Sequence, residues 1–142
     1  MNPETRLRLA RWLVSIPAFF VMVVPPSVDW GTSHLMNPLW PPHARMHTAW
    51  LLVTNSMVMA MALVLIWRQR DTHNLLLGAA LAAAPLLGFF VAAATRASYG
   101  GAFTDPNGVA VTAGPLDANL AAFSLCLISL CAGVILARGA RP

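Results

Sequence analysis

Four long apolar stretches limit what this chain can fold into more than any other feature of its sequence. A helix needs about 20 predominantly apolar residues to cross the hydrocarbon core of a bilayer, and residues 7–24, 43–67, 74–97 and 116–137 are of about that length. A helix also satisfies its own backbone polar groups, as lipid requires. The sequence therefore predicts an all-α fold: one domain over residues 1–142, an integral membrane bundle of four transmembrane helices.

The composition excludes an ordinary soluble domain and a disordered tail. Hydrophobic residues make up 58% of the chain and charged residues only 10%. Soluble domains and disordered tails carry about 25% charged residues or more. The two cysteines, Cys126 and Cys131, lie five apart on one predicted helix and point to different faces, which argues against a disulfide between them.

The arginines predict the orientation of the bundle. All nine basic residues are arginines. Seven flank the two termini and the 68–73 connection: Arg6, Arg8, Arg11, Arg68, Arg70, Arg138 and Arg141. Only Arg45 and Arg96 lie on the other side, so the positive-inside rule places both termini in the cytoplasm. We expect a bacterial cytoplasmic membrane, with the long connections 25–42 and 98–115 facing the periplasm or exterior, membrane lipid as a partner and no nucleic acid.

Helix packing can also be predicted from residue types. The third stretch is rich in glycine and alanine, and spacings such as Ala84 to Gly88 allow close approach, so we expect this helix at the centre of the bundle. Pro17 and Pro85 predict kinks. Polar residues within the spans are expected to form interhelical hydrogen bonds: Asn55, Asn119, Ser124 and Ser129.

The second long connection contains a strong turn signal at residues 104–108. Residues 103–104 and 109–111 could pair across it as a small hairpin, and a surface loop is the equal alternative.

The densest polar cluster spans the first long connection and the start of the second span. It contains Asp29 and His34, followed by Trp40-Pro41-Pro42-His43-Ala44-Arg45-Met46-His47. The two prolines suit the first turn of a helix. His43 and His47 then share one face with Trp50, because residues four apart lie above one another on a helix.

Three interpretations of this cluster compete. The first is acid–base catalysis, with His47 as base, His43 as relay or orienting group, and Asp29 or Asp117 as the orienting carboxylate. The second is a zinc or iron site formed by His43 and His47, which His34 or Asp29 could complete. The third is a set of interfacial residues that bond water and loop carbonyls. Ionisable groups at membrane depth are costly, which favours function.

Other side chains at this end of the predicted bundle could hold a substrate. We assign that role to Trp40, Arg45, Trp50 and Arg96. An ion pair between Arg96 and Asp117 is the structural alternative, and Asp117 could instead cap the fourth helix.

The segment Leu39-Trp40-Pro41-Pro42-His43-Ala44-Arg45-Met46-His47 resembles one found in small bacterial four-span membrane proteins. The topology is similar, in a general way, to that of the DoxX-like group. The resemblance implies that the Pro-Pro-His-x-Arg-x-His element is a family feature, and it implies no activity or catalytic residue.

These observations predict a small membrane enzyme that acts on a lipophilic substrate by isomerisation, cyclisation or hydration. The alternative is a metal- or ligand-binding membrane module, or an accessory subunit of a larger complex. The expected cofactor is either none or one divalent ion such as zinc or iron, and a homo-oligomer is possible. Within the site we expect His43, His47 and Trp50 to face an inward pocket, with His47 the more deeply desolvated histidine.

Overall fold

The computed structural model describes residues 1–68, 71–104, 112–113 and 116–139. Within these residues four long helices follow one another along the chain: α1 (Pro3–Asp29), α2 (Pro42–Arg68), α3 (Thr72–Thr95) and α4 (Ala118–Arg138). All four are long and apolar enough to cross a membrane. The prediction of an all-α bundle with four such helices is confirmed.

The helix starts follow the local sequence. α2 begins at Pro42, as the missing N–H of proline predicts. Asp71 caps α3, because its carboxylate accepts from the Asn74 backbone N–H at 2.8 Å. Asp117 caps α4 in the same way, through the N–H groups of Asn119 and Leu120, so the capping prediction for Asp117 is confirmed.

Helix α1 is longer than its apolar stretch, because it continues through Pro25 and Pro26 to Asp29. Proline donates no hydrogen bond, so Pro26 leaves the carbonyl of Met22 without a helical partner. The hydroxyl of Ser56 on α2 lies 2.9 Å from that carbonyl and 2.9 Å from the Leu52 carbonyl of its own helix, so its one proton is shared between the two acceptors. The predicted connection 25–42 is therefore shorter, and covers residues 30–41.

Pro17 is accommodated in the same way, by a serine hydroxyl from a neighbouring helix. It would leave the carbonyl of Leu13 without a partner, and Ser129 on α4 donates to this carbonyl at 2.8 Å. The expected interhelical role of Ser129 is thus confirmed. At Pro17 and Pro26, serine hydroxyls from neighbouring helices lie at hydrogen-bond distance from the carbonyls that the prolines free, as is common in helices that lie in lipid.

Successive helices run antiparallel, which brings both chain termini to one end of the bundle. Arg6 donates to the Gly139 carbonyl at 2.5 Å, and Trp67, near the end of α2, donates to Ser15 on α1 at 2.9 Å. We call the end with Arg6 and Gly139 the terminal end. The opposite end, with residues 30–41 and the α3–α4 connection, is the loop end.

The core consists of two layers of buried side chains. The first lies in the middle of the bundle: Ala18, Val21, Met59, Ala82, Leu86, Cys126 and Leu130. The second lies towards the terminal end: Ala10, Val14, Ile66, Leu75, Ala79 and Ala137. Each layer receives side chains from all four helices, so the four helices enclose one continuous apolar interior.

Helix α1, and not α3, is the most buried helix. In the most apolar window of each helix, 39% of the residues are buried in α1 and 28% in α3. The prediction that α3 occupies the centre is wrong, because α1 packs extensively on both α2 and α4.

The helices approach one another closely at glycines other than Gly88, which the sequence had indicated. A Cβ atom at Gly78 would lie 2.9 Å from the Ala62 carbonyl, and one at Gly133 would lie 3.0 Å from the Ala10 carbonyl. Gly88 has nothing within 4 Å of its Cβ position. Ala84 and Gly88 are both exposed.

A short 3₁₀ turn, Arg96–Tyr99, follows α3, and Gly100 ends it with a φ of 71°. Strand β1 (Thr112–Ala113) pairs antiparallel with β2 (Leu116–Asp117), directly before α4. The predicted hairpin between residues 103–104 and 109–111 lies partly outside the described residues.

Candidate functional site

The connection from α1 to α2 is compact and positions the first part of the candidate site. Leu35 is buried and donates through its backbone N–H to the Asp29 carbonyl at 2.9 Å. The Met36 N–H donates to the Gly31 carbonyl at 3.0 Å. Buried Asn37 accepts from the Leu39 N–H at 3.0 Å. These bonds hold the side chains of the connection in a fixed arrangement.

Asp29 and His34 form an acid–base pair within this connection. A carboxylate oxygen of Asp29 lies 3.7 Å from Nδ1 of His34, and both side chains are about one-third exposed, at 32% and 39%. The Ser33 hydroxyl lies 3.0 Å from the same nitrogen. Nδ1 therefore faces the protein, and Nε2 makes no hydrogen bond within the described part of the chain. In the tautomer that carries its proton on Nδ1, beside the carboxylate, Nε2 is the nitrogen that can accept a proton.

Trp40 and Arg45 support this pair from the start of α2. The His34 and Trp40 rings meet edge to face, with centroids 5.6 Å apart. Nε of Arg45 donates to the Trp40 carbonyl at 3.0 Å. Of the predicted substrate-binding residues, these two lie beside His34, and the Arg45 bond fixes Trp40 against the imidazole.

His43 and His47 interact with each other, as their spacing predicts. Their Nε2 atoms lie 3.0 Å apart, so one nitrogen donates to the other, and the His47 ring lies 5.8 Å from that of Trp50. All three side chains are exposed on the outer surface of α2, Trp50 by 61%. The prediction that they face an inward pocket is wrong, because α2 turns its opposite face to α1 and α3, and His47 is not desolvated within the chain.

Arg96 and Asp117 do not form the expected ion pair. The Arg96 guanidinium lies over the Phe103 ring, 4.9 Å from its centroid, and donates to the Ala93 carbonyl at 2.6 Å. The Asp117 carboxylate is used as a helix cap. Both residues therefore have local structural partners, and neither contacts the Asp29–His34 pair.

The three predicted metal ligands are not assembled into one site. Among the described residues, no group of three or more histidine, cysteine, aspartate or glutamate side chains lies close enough to hold a metal ion. His34 pairs with Asp29, whereas His43 pairs with His47. The geometry separates the predicted cluster into two histidine sites on neighbouring segments.

Sequence reasoning missed two features of the molecule. It gave no role to Ser33, although a hydroxyl next to a histidine is a visible signal for a side-chain hydrogen bond. It also used Arg8 and Arg11 only as signs of orientation, whereas these residues and Trp67 line a cavity at the terminal end. The adjacency of α1 and α2 there becomes visible only once the helices are packed.

The fold and the paired side chains define a small bundle of four membrane-length helices with an acid–base pair at its loop end. The chain belongs to DUF6640, a family of unknown function, whose family model matches residues 13–139. No curated protein and no solved structure matches the chain.

Proposed function

We propose that this chain is a four-span protein of a bacterial cytoplasmic membrane, with both termini in the cytoplasm. The packing supports this orientation, since the terminal end carries five described arginines: Arg6, Arg8, Arg11, Arg68 and Arg138. The loop end carries Arg45 and Arg96 only. This asymmetry is the one that the positive-inside rule associates with the cytoplasmic side.

We further propose that the protein is an enzyme that moves a proton on a lipophilic substrate at the outer surface of the membrane. The observation that carries this proposal is the Asp29–His34 pair, in which a carboxylate lies 3.7 Å from Nδ1 of an imidazole. Nε2 of His34 acts as the general base, and Asp29 and Ser33 orient the ring. This differs from the sequence interpretation, in which the same carboxylate orients His47.

The neighbouring side chains fit this chemistry. Trp40 provides an aromatic surface beside His34 for an apolar substrate. The His43–His47 pair shares a hydrogen bond on the outer surface of α2, where it can exchange protons with water. A substrate that isomerises, cyclises or adds water needs such a base and a route for the proton.

The test compares lipid extracts from bacteria that produce the protein, its variants or neither. Loss of a general base lowers a rate by about 10²–10⁴-fold, so a lipid change that wild type produces is expected to disappear with His34→Gln. His73→Gln is the matched control, because this exposed histidine begins α3 at the terminal end. A lipid change that persists in His34→Gln contradicts the proposal.

A second candidate function, that of an accessory subunit, is favoured by the exposure of His43, His47 and Trp50. Polar side chains on the outer surface of a membrane helix are better satisfied against a protein partner than against lipid. A photo-crosslinker at position 50 is then expected to yield one discrete protein adduct in intact membranes. A crosslinker at position 128, on the exposed face of α4, serves as the control. Adducts with lipid alone contradict this second function.

A further inference from the structure

We propose that the surface between α1 and α2 at the terminal end is a binding site for an anionic phospholipid. Its headgroup binds at Arg8 and Arg11, and an acyl chain follows an apolar groove that begins at Trp67. The proposal rests on the membrane insertion proposed above, and is independent of the acid–base chemistry at the loop end.

A polar cavity of about 500 Å³ forms the headgroup part of this site. Its walls include Arg8 and Arg11, from successive turns of α1, and Trp67 from α2. Arg11 is only 7% exposed, so its position is fixed by packing. The exposed Arg8 makes no hydrogen bond or ion pair within the residues that the structure describes. A phosphate is the natural partner for guanidinium groups at a membrane interface.

An apolar groove of about 480 Å³ forms the acyl-chain part. It lies between α1 and α2, and is lined by Trp12, Ser15, Ile16, Phe19, Phe20, Val24, Leu63 and Trp67. The lining residues span 12 positions of α1, or about 18 Å along the helix axis. The only polar residue among them, Ser15, accepts a hydrogen bond from Trp67.

Trp67 lines both the polar cavity and the apolar groove, so the two parts form one continuous surface. Its indole N–H donates to Ser15 at 2.9 Å, and its ring meets that of Trp12 edge to face at 4.9 Å. These contacts hold Trp67 at the boundary between the polar cavity and the apolar groove, and they do not depend on a ligand. Indole rings prefer the level of the headgroups in a bilayer, and this is the depth at which the headgroup and acyl chain of a phospholipid meet.

The charges of the cavity select the headgroup. Arg8, Arg11 and one carboxylate, that of Glu4, line it. Glu4 and Arg8 are one turn apart but form no ion pair in the described chain, so the Arg8 charge remains available. A zwitterionic headgroup gains less from this field than an anionic one.

The experiment uses the full chain in vesicles, with Trp30→Phe, Trp40→Phe and Trp50→Phe so that only Trp12 and Trp67 fluoresce. Phosphatidylglycerol with brominated acyl chains is compared with brominated phosphatidylcholine at equal mole fraction. We expect phosphatidylglycerol to quench the two indoles preferentially. Each arginine near an anionic lipid contributes about a fivefold preference, and Arg8→Gln and Arg11→Gln are each expected to remove about that factor.

Arg138→Gln is the matched control, because this exposed arginine lies at the same end of the bundle but outside the cavity. It is expected to keep the preference. Equal quenching by the two lipids in wild type overturns the proposal. A loss of preference in Arg138→Gln as large as that in Arg8→Gln also overturns it, because the arginines would then attract the lipid by diffuse charge alone. Weak quenching by both lipids also overturns it, since a second copy or another protein would then cover the groove. Arg8→Gln alters an exposed side chain, and keeps the test valid if Arg11→Gln fails to fold.

Discussion

Single residues set the ends of the helices, and the contribution of Asp71 depends on pH. Its carboxylate accepts from the Asn74 backbone N–H at 2.8 Å and from the Asn74 amide at 2.7 Å. These hydrogen bonds stabilise the charged form and lower the pKa of Asp71 below its ordinary value of 3.8. A carboxylate with a lowered pKa stabilises the fold above its unfolded-state pKa and loses that effect as the pH falls.

We therefore expect Asp71→Ala to lower the melting temperature in detergent at neutral pH. The difference from wild type should be constant above pH 3.8 and should shrink as the pH falls through the lowered pKa of the folded state. Asp71→Asn is the control, since its amide oxygen still caps α3 without titrating. A difference between wild type and Asp71→Ala that is unchanged at low pH would show that the charge of the cap is irrelevant.

Pairs of elements are joined where a proline on one helix faces a serine on another. Pro17 frees the Leu13 carbonyl, and Ser129 donates to it at 2.8 Å. Ser129→Ala should leave this partly buried carbonyl without a donor and lower the free energy of unfolding by about 1 kcal/mol.

A double-mutant cycle can test this dependence. In Pro17→Ala, the restored backbone N–H of residue 17 can bond the Leu13 carbonyl, so Ser129→Ala should then cost much less. We expect a coupling free energy of about 0.5–1 kcal/mol between the two substitutions, measured by denaturant unfolding in mixed micelles. Ser124→Ala is the matched control on α4, because Ser124 makes no side-chain hydrogen bond within the described residues. Equal costs of Ser129→Ala in both backgrounds would contradict the role given to the proline.

For the whole molecule, the arrangement of the arginines predicts which end faces the cytoplasm. Asn2→Cys lies at the terminal end and Ser98→Cys in the exposed 3₁₀ turn at the loop end. With Cys126→Ala and Cys131→Ala in both proteins, a membrane-impermeant maleimide should label position 98 in intact cells. Position 2 should react only after permeabilisation. The reverse labelling pattern would show that the bundle has the opposite orientation in the membrane.

The sequence was sufficient for the helices because their lengths and caps depend on local residues. The lengths of the apolar stretches were enough to predict all four helices. Asp71 and Asp117 each cap the helix that follows them in the sequence. It was insufficient for the end of α1, because two consecutive prolines indicate the end of a helix, whereas α1 continues past Pro26, where Ser56 of another helix lies against the Met22 carbonyl.

The candidate site was less predictable for a related reason. Periodicity shows that His43 and His47 share a face, and they do lie together. It does not show which face of α2 packs against α1 and α3, because the apolar residues of this helix are spread around its whole circumference. The partner of Asp29 was likewise undetermined, since it depends on how residues 30–41 fold back on the end of α1.

The contact between the first and last helices has a consequence for the synthesis of this protein. Ser129 follows the Leu13 carbonyl that it satisfies by 116 residues. At a translation rate of about 5–20 residues per second, α1 waits about 6–23 s before α4 emerges from the ribosome. During that time the Leu13 carbonyl and the α1 residues that approach Gly133 have no partner from α4. A ribosome that stalls before codon 118 would leave three helices without the fourth, which contributes to both core layers.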